Sequence, residues 1–117
     1  LNHYFPGAAK NDVNAAMIDY LTKKGQAADL FSPDGFVAAQ MIVRAIETGG
    51  GGDVDSMVKA LEGWSFDAPK GKQTIRATDH VMVQPMVQAK LVADGSNWKP
   101  ELVKEIPSDQ AAPAEKK

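Results

Sequence analysis

The sequence contains no cysteine. This absence excludes disulfide bonds, thiolate nucleophiles and zinc bound by cysteine. It does not identify the cellular compartment, because exported bacterial proteins also often lack cysteine. Histidine is almost as scarce, with two residues in 117. Neither histidine has the neighbouring ligands at helical spacing that are typical of a metal site.

The sequence also lacks an excess of charge of one sign and a long apolar run. Thirteen basic residues face 15 acidic ones, giving a net charge of −2, and no basic block is present. We therefore expect no nucleic-acid partner, since binding of phosphate backbones depends on clustered cations. The sequence contains no run of 18 apolar residues, which is about the length that a membrane-spanning helix needs. Residues 36–46 form the longest apolar stretch, interrupted by Gln40 and Arg44.

Three helices are predicted in the first half of the chain. Apolar residues at helical spacing indicate a helix over residues 11–24, where Asn11 or Asp12 caps the start. A second helix begins at Ser32-Pro33-Asp34, a strong start signal. It is apolar on most sides over residues 36–46, which predicts burial on more than one face. Four glycines at 49–52 fit a connector better than a phosphate-binding loop, and Asp53 caps a third helix.

The second half changes to the period of two that is typical of strands. Trp64 and Phe66 alternate with polar residues before a turn at residues 69–71, where we expect a positive φ at Gly71. A longer strand over residues 81–92 contains Pro85, so it is either an edge strand or broken at that point. A short segment at 98–106 follows. Residues 1–5 are predicted to be the end of a strand, and residues 107–117 are predicted to be a disordered tail. We expect most aromatic residues to lie in the core.

No catalytic arrangement is visible. Asp79 and His80 are adjacent, so in a strand their side chains would point to opposite faces and could not act together. The acidic pair Asp53 and Asp55 could suggest a cation site, but acids at a helix start need no metal to explain them. We therefore expect that the protein is not an enzyme and needs no cofactor. Phe31 is the aromatic residue kept open as a ligand contact, because it precedes a helix start.

Three stretches in this order resemble the C-terminal part of branched-chain amino acid-type solute-binding proteins of ABC transporters, which have the type I periplasmic-binding fold. The first is residues 4–7 leading into the 11–24 helix, and the second is residues 29–40. The third and most specific comprises residues 60–71, then Asp79-His80 and Val83-Gln84-Pro85-Met86. The resemblance covers roughly residues 1 to 95. Two departures are Phe36, where the family often has Tyr, and the run of four glycines.

The resemblance implies an α/β fragment of this fold: helices of one lobe, a hinge-crossing strand and a closing β-hairpin over residues 1–106. By similarity, Phe31 and Ser32 face the cleft between the lobes, and Asp34 could meet a ligand ammonium. The alternative is that Ser32 and Asp34 only cap the helix and Phe31 is core. The chain starts without Met and has no signal peptide pattern, so we expect a piece of a longer protein.

The implied function is capture of a small solute such as an amino acid, amide or aromatic acid, in the periplasm or another extracytoplasmic space. The implied partners are ABC permease subunits and the missing N-terminal part of the same protein. Without that part, we expect residues 36–46 to make the fragment dimerise or swap elements. The alternative function is a self-contained α+β protein-interaction domain without catalysis.

Overall fold

The computed structural model describes residues 3–116, which contain four helices and five strands. The order of elements begins with three helices, continues with five strands and closes with a short helix. Their bounds are α1 Asp12–Lys23, α2 Ser32–Gly49, α3 Val54–Leu61, β1 Ser65–Ala68, β2 Gly71–Ile75, β3 Met82–Val83, β4 Met86–Asp94, β5 Asn97–Ile106 and α4 Ser108–Ala111. Within the described residues, no helix is both long and apolar enough to cross a membrane.

Residues 3–9 are held by α1 through hydrogen bonds. Residues 3–5 lie in no strand, contrary to expectation, and residues 1–2 of that predicted strand lie outside the described residues. The Tyr4 hydroxyl donates to the buried Asn14 Oδ1 at 2.7 Å, and Asn14 Nδ2 donates to the carbonyls of Pro6 and Ala9. Asn11 caps α1 through its side chain, as predicted.

One face of α2 is buried in this chain and another is open. Pro33, Val37 and Ala45 are buried. Ile42, Val43 and Ile46 are 59%, 52% and 50% exposed. The described residues therefore cover only part of the apolar surface for which the sequence predicted burial on more than one face.

The glycine run connects α2 to α3 at close range. Gly49 is the last residue of α2, and Gly50 and Gly51 have φ of 79° and 68°. A Cβ atom at Gly49 would lie 2.7 Å from the Met57 Cα, so only glycine lets the two helices approach this closely. Asp53 caps α3 by accepting from the Ser56 amide, as predicted.

The core lies between α2 and the first sheet. Phe66 stacks on Trp64 with ring centroids 4.0 Å apart. Four buried residues form the centre, and four partly buried ones pack against them: Val37, Phe66, Ala68 and Ile75, with Met41, Leu61, Trp64 and Met82. The expectation that most aromatic residues are core is wrong for Tyr20 and Trp98, which are 62% and 69% exposed within this chain. Phe31, the aromatic residue kept open as a ligand contact, is 70% exposed.

The first sheet has the strand order β1-β2-β3, with all pairs antiparallel. Ala68 pairs with Gly71, so the β1–β2 connection is the two-residue turn Pro69-Lys70. Gly71 has a φ of 118°, which confirms the positive φ predicted from the sequence.

Replacing Gly71 by Val is expected to reduce the free energy of unfolding by about 1–3 kcal/mol, the usual cost of holding a β-branched residue in this backbone region. The added Cβ would meet the Pro85 Cγ at an ordinary 3.4 Å, so backbone strain is the main cause. Urea unfolding of the intact protein measures the effect. Lys72→Val on the same strand is the control, because Lys72 is exposed and has no positive φ. Equal stabilities of the two variants would contradict the assignment.

The predicted long strand is broken at Pro85, the second of the two outcomes the sequence allowed. β3 ends at Val83 and β4 begins at Met86. β4 then pairs with β5 in a separate two-stranded sheet, where Asp94 pairs with Asn97 across the turn. One face of this hairpin carries the cross-strand pairs Leu91 with Pro100 and Ala93 with Trp98.

The C-terminal residues are more ordered than their composition suggests. Residues 107–117 were expected to be disordered, whereas the structure forms α4 at Ser108–Ala111. Arg76 Nη1 donates to the Pro113 carbonyl at 3.1 Å, and the Lys116 amide donates to Asp79 Oδ2 at 3.3 Å. These hydrogen bonds give the polar segment partners that its sequence does not reveal. Lys117 lies outside the described residues.

Candidate functional site

The start of α2 holds the three residues predicted to contact a ligand. Phe31 occupies the N-cap position without a side-chain cap, and its ring is 70% exposed. The prediction that Ser32 is the cap is wrong, because Ser32 is the first residue of α2 and the N-cap is Phe31, one residue earlier. Asp29 accepts from the amides of Phe31 and Ser32 and from the Ser32 hydroxyl at 2.8–3.0 Å. These hydrogen bonds lower the pKa of Asp29, and the bond from the Ser32 hydroxyl has the largest effect.

Phe31, Ser32 and Asp34 were predicted either to contact a ligand or to serve only as core and helix cap. Phe31 is not part of the core formed by the described residues, so it leaves an apolar ring open beside a helix start. Ser32 is committed to Asp29. Asp34 lies in the first turn of α2 with its side chain 51% exposed, so it keeps accessible carboxylate surface. Phe31 and Asp34 are therefore the two predicted residues that remain able to meet a solute.

A polar cluster that the sequence did not predict links Asp34 to distant parts of the chain. His3 Nε2 lies 2.8 Å from Asp34 Oδ1, and Lys70 Nζ lies 2.9 Å from His3 Nδ1. Because an ammonium group can only donate, Nδ1 accepts and Nε2 carries the proton that is donated to Asp34. Lys70 also donates to Gln84 Oε1 at 2.9 Å.

Lys70 is unusual in this cluster because it is a lysine with only 7% of its surface exposed. Burial lowers the pKa of Lys70 to about 8, while the negative charge of Asp34 acts in the opposite direction. A buried ammonium must be hydrogen-bonded to be tolerated. His3 and Gln84 supply the two short acceptors.

A cavity of about 460 Å³ lies beside Lys70 and is lined in part by the β4–β5 hairpin. Its lining does not include Phe31, Ser32 or Asp34. Twelve residues from the chain start, the α1 cap, the β1–β2 turn and the hairpin line it: His3, Tyr4, Ala8, Ala9, Lys10, Asn11, Lys70, Gly71, Pro85, Val87, Leu102 and Glu105. The cavity and the start of α2 are thus separate features joined through His3.

The residues considered for chemistry have structural partners instead. Asp79 forms a bidentate pair with Arg76 at 2.7 and 2.6 Å, which holds the pKa of Asp79 well below its usual range. His80 has a φ of 57° and lies 3.0 Å from Glu62 Oε1. In the part of the chain that the structure describes, no group of three or more His, Cys, Asp or Glu side chains could hold a metal ion.

Solved structures share this fold. A branched-chain amino acid ABC transporter protein from Rhodopseudomonas palustris CGA009 is 30% identical, with a TM-score of 0.82. A solute-binding protein from R. palustris HaA2, solved with p-hydroxybenzoic acid, is 19% identical with a TM-score of 0.79. The leucine-, isoleucine-, valine-, threonine- and alanine-binding protein from Brucella ovis, in its closed conformation, is 22% identical with a TM-score of 0.76. Comparison with curated protein sequences finds no match.

The three structures are matched over 92%, 91% and 96% of this chain, but the chain covers only 30%, 30% and 31% of theirs. The chain therefore corresponds to a part of these proteins, and the α/β fragment that the resemblance implied is confirmed. The sequence family of periplasmic binding proteins matches residues 1–96, which is most of the chain. The chain belongs to the periplasmic binding protein family.

Proposed function

We propose that this chain is part of the solute-binding component of an ABC uptake transporter. The observation that carries the proposal is the family match over residues 1–96, together with a 30% identical structure of a branched-chain amino acid transporter protein. In this function the protein captures a small solute in the periplasm or another extracytoplasmic space and delivers it to permease subunits. The relatives' ligands favour a branched-chain or related amino acid or an aromatic acid as the solute, and the resemblance adds amides as a further class.

The work of such a protein is binding and not catalysis. Asp79 and His80 are engaged with Arg76 and Glu62, so neither is arranged as a base for the other. Lys70, whose pKa is lowered by burial, donates to His3 and Gln84. We therefore infer that the protein is not an enzyme and uses no cofactor.

The start of α2 is the part of this chain best suited to meet the solute. The exposed Phe31 ring can cover an apolar side chain, and Asp34 can accept a hydrogen bond from an ammonium group. The positive end of the α2 dipole favours an anionic group such as a carboxylate. An apolar amino acid carries all three matching groups, and an aromatic acid carries two of them, the apolar ring and the carboxylate.

The remaining part of the same protein is the partner that the exposed α2 face requires. Ile42, Val43 and Ile46 are each at least half exposed and lie on the same helix. The chain accounts for only about 30% of the length of its relatives, so most of the protein is available to cover this face. The same reasoning makes a dimer or domain swap the expected state of the chain when it is isolated.

A thermal-shift screen of the intact protein against amino acids, amides and hydroxybenzoates tests the function. A true ligand binds the folded state and raises the melting temperature by mass action. We expect a concentration-dependent rise with at least one of these classes. The absence of a shift with all of them would contradict the proposed solute class.

Replacing Phe31 by Ala is expected to weaken binding of the solute found in that screen by at least about 1 kcal/mol, because an apolar contact of this size is lost. Affinity is measured by calorimetric titration of the intact protein. Tyr20→Ala is the matched control, since Tyr20 is similarly exposed but lies near the end of α1. Equal affinities of wild type, Phe31→Ala and Tyr20→Ala would contradict a contact between Phe31 and the solute.

A further inference from the structure

The β4–β5 hairpin is connected to the rest of the chain through a two-residue link before β4 and through α4 after β5. β3 ends at Val83 and β4 begins at Met86, so Gln84 and Pro85 form what we call the joint. β4 and β5 pair only with each other among the described strands, in a sheet separate from β1-β2-β3. A two-stranded hairpin attached in this way has no sheet hydrogen bond that would fix its direction.

Lys70 adds an attachment at the joint, while hydrogen bonds to Arg76 and Asp79 hold the segment that follows β5. Its ammonium donates to Gln84 Oε1 in the joint at 2.9 Å and lies 3.9 Å from the Met86 Sδ at the first residue of β4. Gln84 Oε1 also accepts from the buried Gln73 Nε2 at 3.3 Å. The joint is therefore bonded to the β1–β2 turn and to β2 at the same atom.

The Lys70 ammonium is also linked to the start of α2, through His3. Lys70 donates to His3 Nδ1, and His3 Nε2 donates to Asp34 Oδ1. A continuous series of hydrogen bonds thus runs from Asp34 through His3 and Lys70 to Gln84. Keeping a lysine ammonium buried costs desolvation energy, which a solvent-exposed position would avoid.

We propose that Lys70 is a positioning residue that sets the orientation of the β4–β5 hairpin relative to the start of α2. Lys70 does so by bonding the joint and His3 at once. In the intact protein this orientation bears on closure around a solute, a consequence that rests on the proposed function. The Brucella ovis relative was solved in a closed conformation, so closure is a state that this fold reaches.

The test measures the hairpin orientation without any solute. Spin labels are attached to the intact protein through Lys59→Cys on α3 and Ser96→Cys at the hairpin tip, both exposed positions. This chain has no cysteine of its own, and cysteines elsewhere in the protein are replaced. Pulsed electron paramagnetic resonance then gives the distribution of distances between the two labels.

Lys70→Met is expected to broaden this distribution at least twofold relative to wild type. Lys72→Met is the matched control, because Lys72 lies two residues away and its side chain is 70% exposed. It should leave the distribution unchanged. Circular dichroism confirms that each variant is folded, and a loss of stability alone would not move the distances in a folded protein.

Gln84→Ala provides a second variant that leaves Lys70 in place and removes its acceptor in the joint. We expect Gln84→Ala to broaden the distance distribution as well. This second variant keeps the proposal testable if Lys70→Met does not fold. Distributions of Lys70→Met or Gln84→Ala that superimpose on wild type would overturn the proposal. Because no solute is present, this result does not depend on whether amino acids or aromatic acids bind.

Discussion

Replacing Phe66 by Ala is expected to lower the free energy of unfolding by about 3–5 kcal/mol, the range found when a buried aromatic ring is removed and a cavity remains. Phe66 is 7% exposed, lies in the central cluster with Val37 and Ile75, and stacks on Trp64. Removing the ring therefore removes both buried area and an aromatic pair. Chemical unfolding of the intact protein, followed by circular dichroism, measures the loss.

Asp67→Ala is the control for this prediction. Asp67 is the next residue on β1, but its side chain is 76% exposed and its ion pair with Lys72 spans 3.6 Å. Surface substitutions of this kind change stability by about 0.5 kcal/mol or less. A Phe66→Ala variant as stable as Asp67→Ala would show that the core is not centred on β1.

Replacing Gly49 by Ala is expected to lower the free energy of unfolding by about 1–2 kcal/mol. The new Cβ would lie 2.7 Å from the Met57 Cα and 2.8 Å from the Ser56 carbonyl oxygen. Both are backbone atoms, so α2 and α3 must move apart, and overpacking of this kind costs about 1–3 kcal/mol. The better helix propensity of Ala offsets at most about 1 kcal/mol, so the steric conflict decides the sign.

Gly52→Ala tests whether position within the glycine run matters. A Cβ at Gly52 would meet no atom within 4 Å, and Gly52 has no positive φ. Its stability should therefore stay close to that of wild type in the same unfolding experiment. If Gly49→Ala were as well tolerated as Gly52→Ala, the close approach of α2 and α3 would be wrong.

Local signals in the sequence predicted much of the fold. Asp53 was recognised as a helix cap and Gly71 as a residue with positive φ. Asn11 was one of two candidates for the cap of α1, and a break at Pro85 was one of two outcomes that the sequence allowed. Each of these rests on chemistry within a few residues of the chain. The resemblance added the arrangement of these elements, which no local signal contains.

The candidate site was predictable only in part. Phe31, Ser32 and Asp34 follow one another, so a helix-start signal reveals them together. The cluster around Lys70 is different, because His3 and Lys70 are 67 residues apart and Lys70 and Gln84 are 14 apart. No periodicity indicates such a contact. The exposure of Trp98 was also missed, because an aromatic residue in a strand pattern was read as core.

We propose that the intact protein containing this chain binds one molecule of a small solute. Isothermal titration of that protein with L-leucine and with 4-hydroxybenzoate tests this most directly, since the relatives of this fold include binders of both classes. We expect saturable binding of one solute molecule per protein for at least one of the two, weakened by Phe31→Ala. No saturable heat with either solute, from a protein shown to be folded, would contradict it.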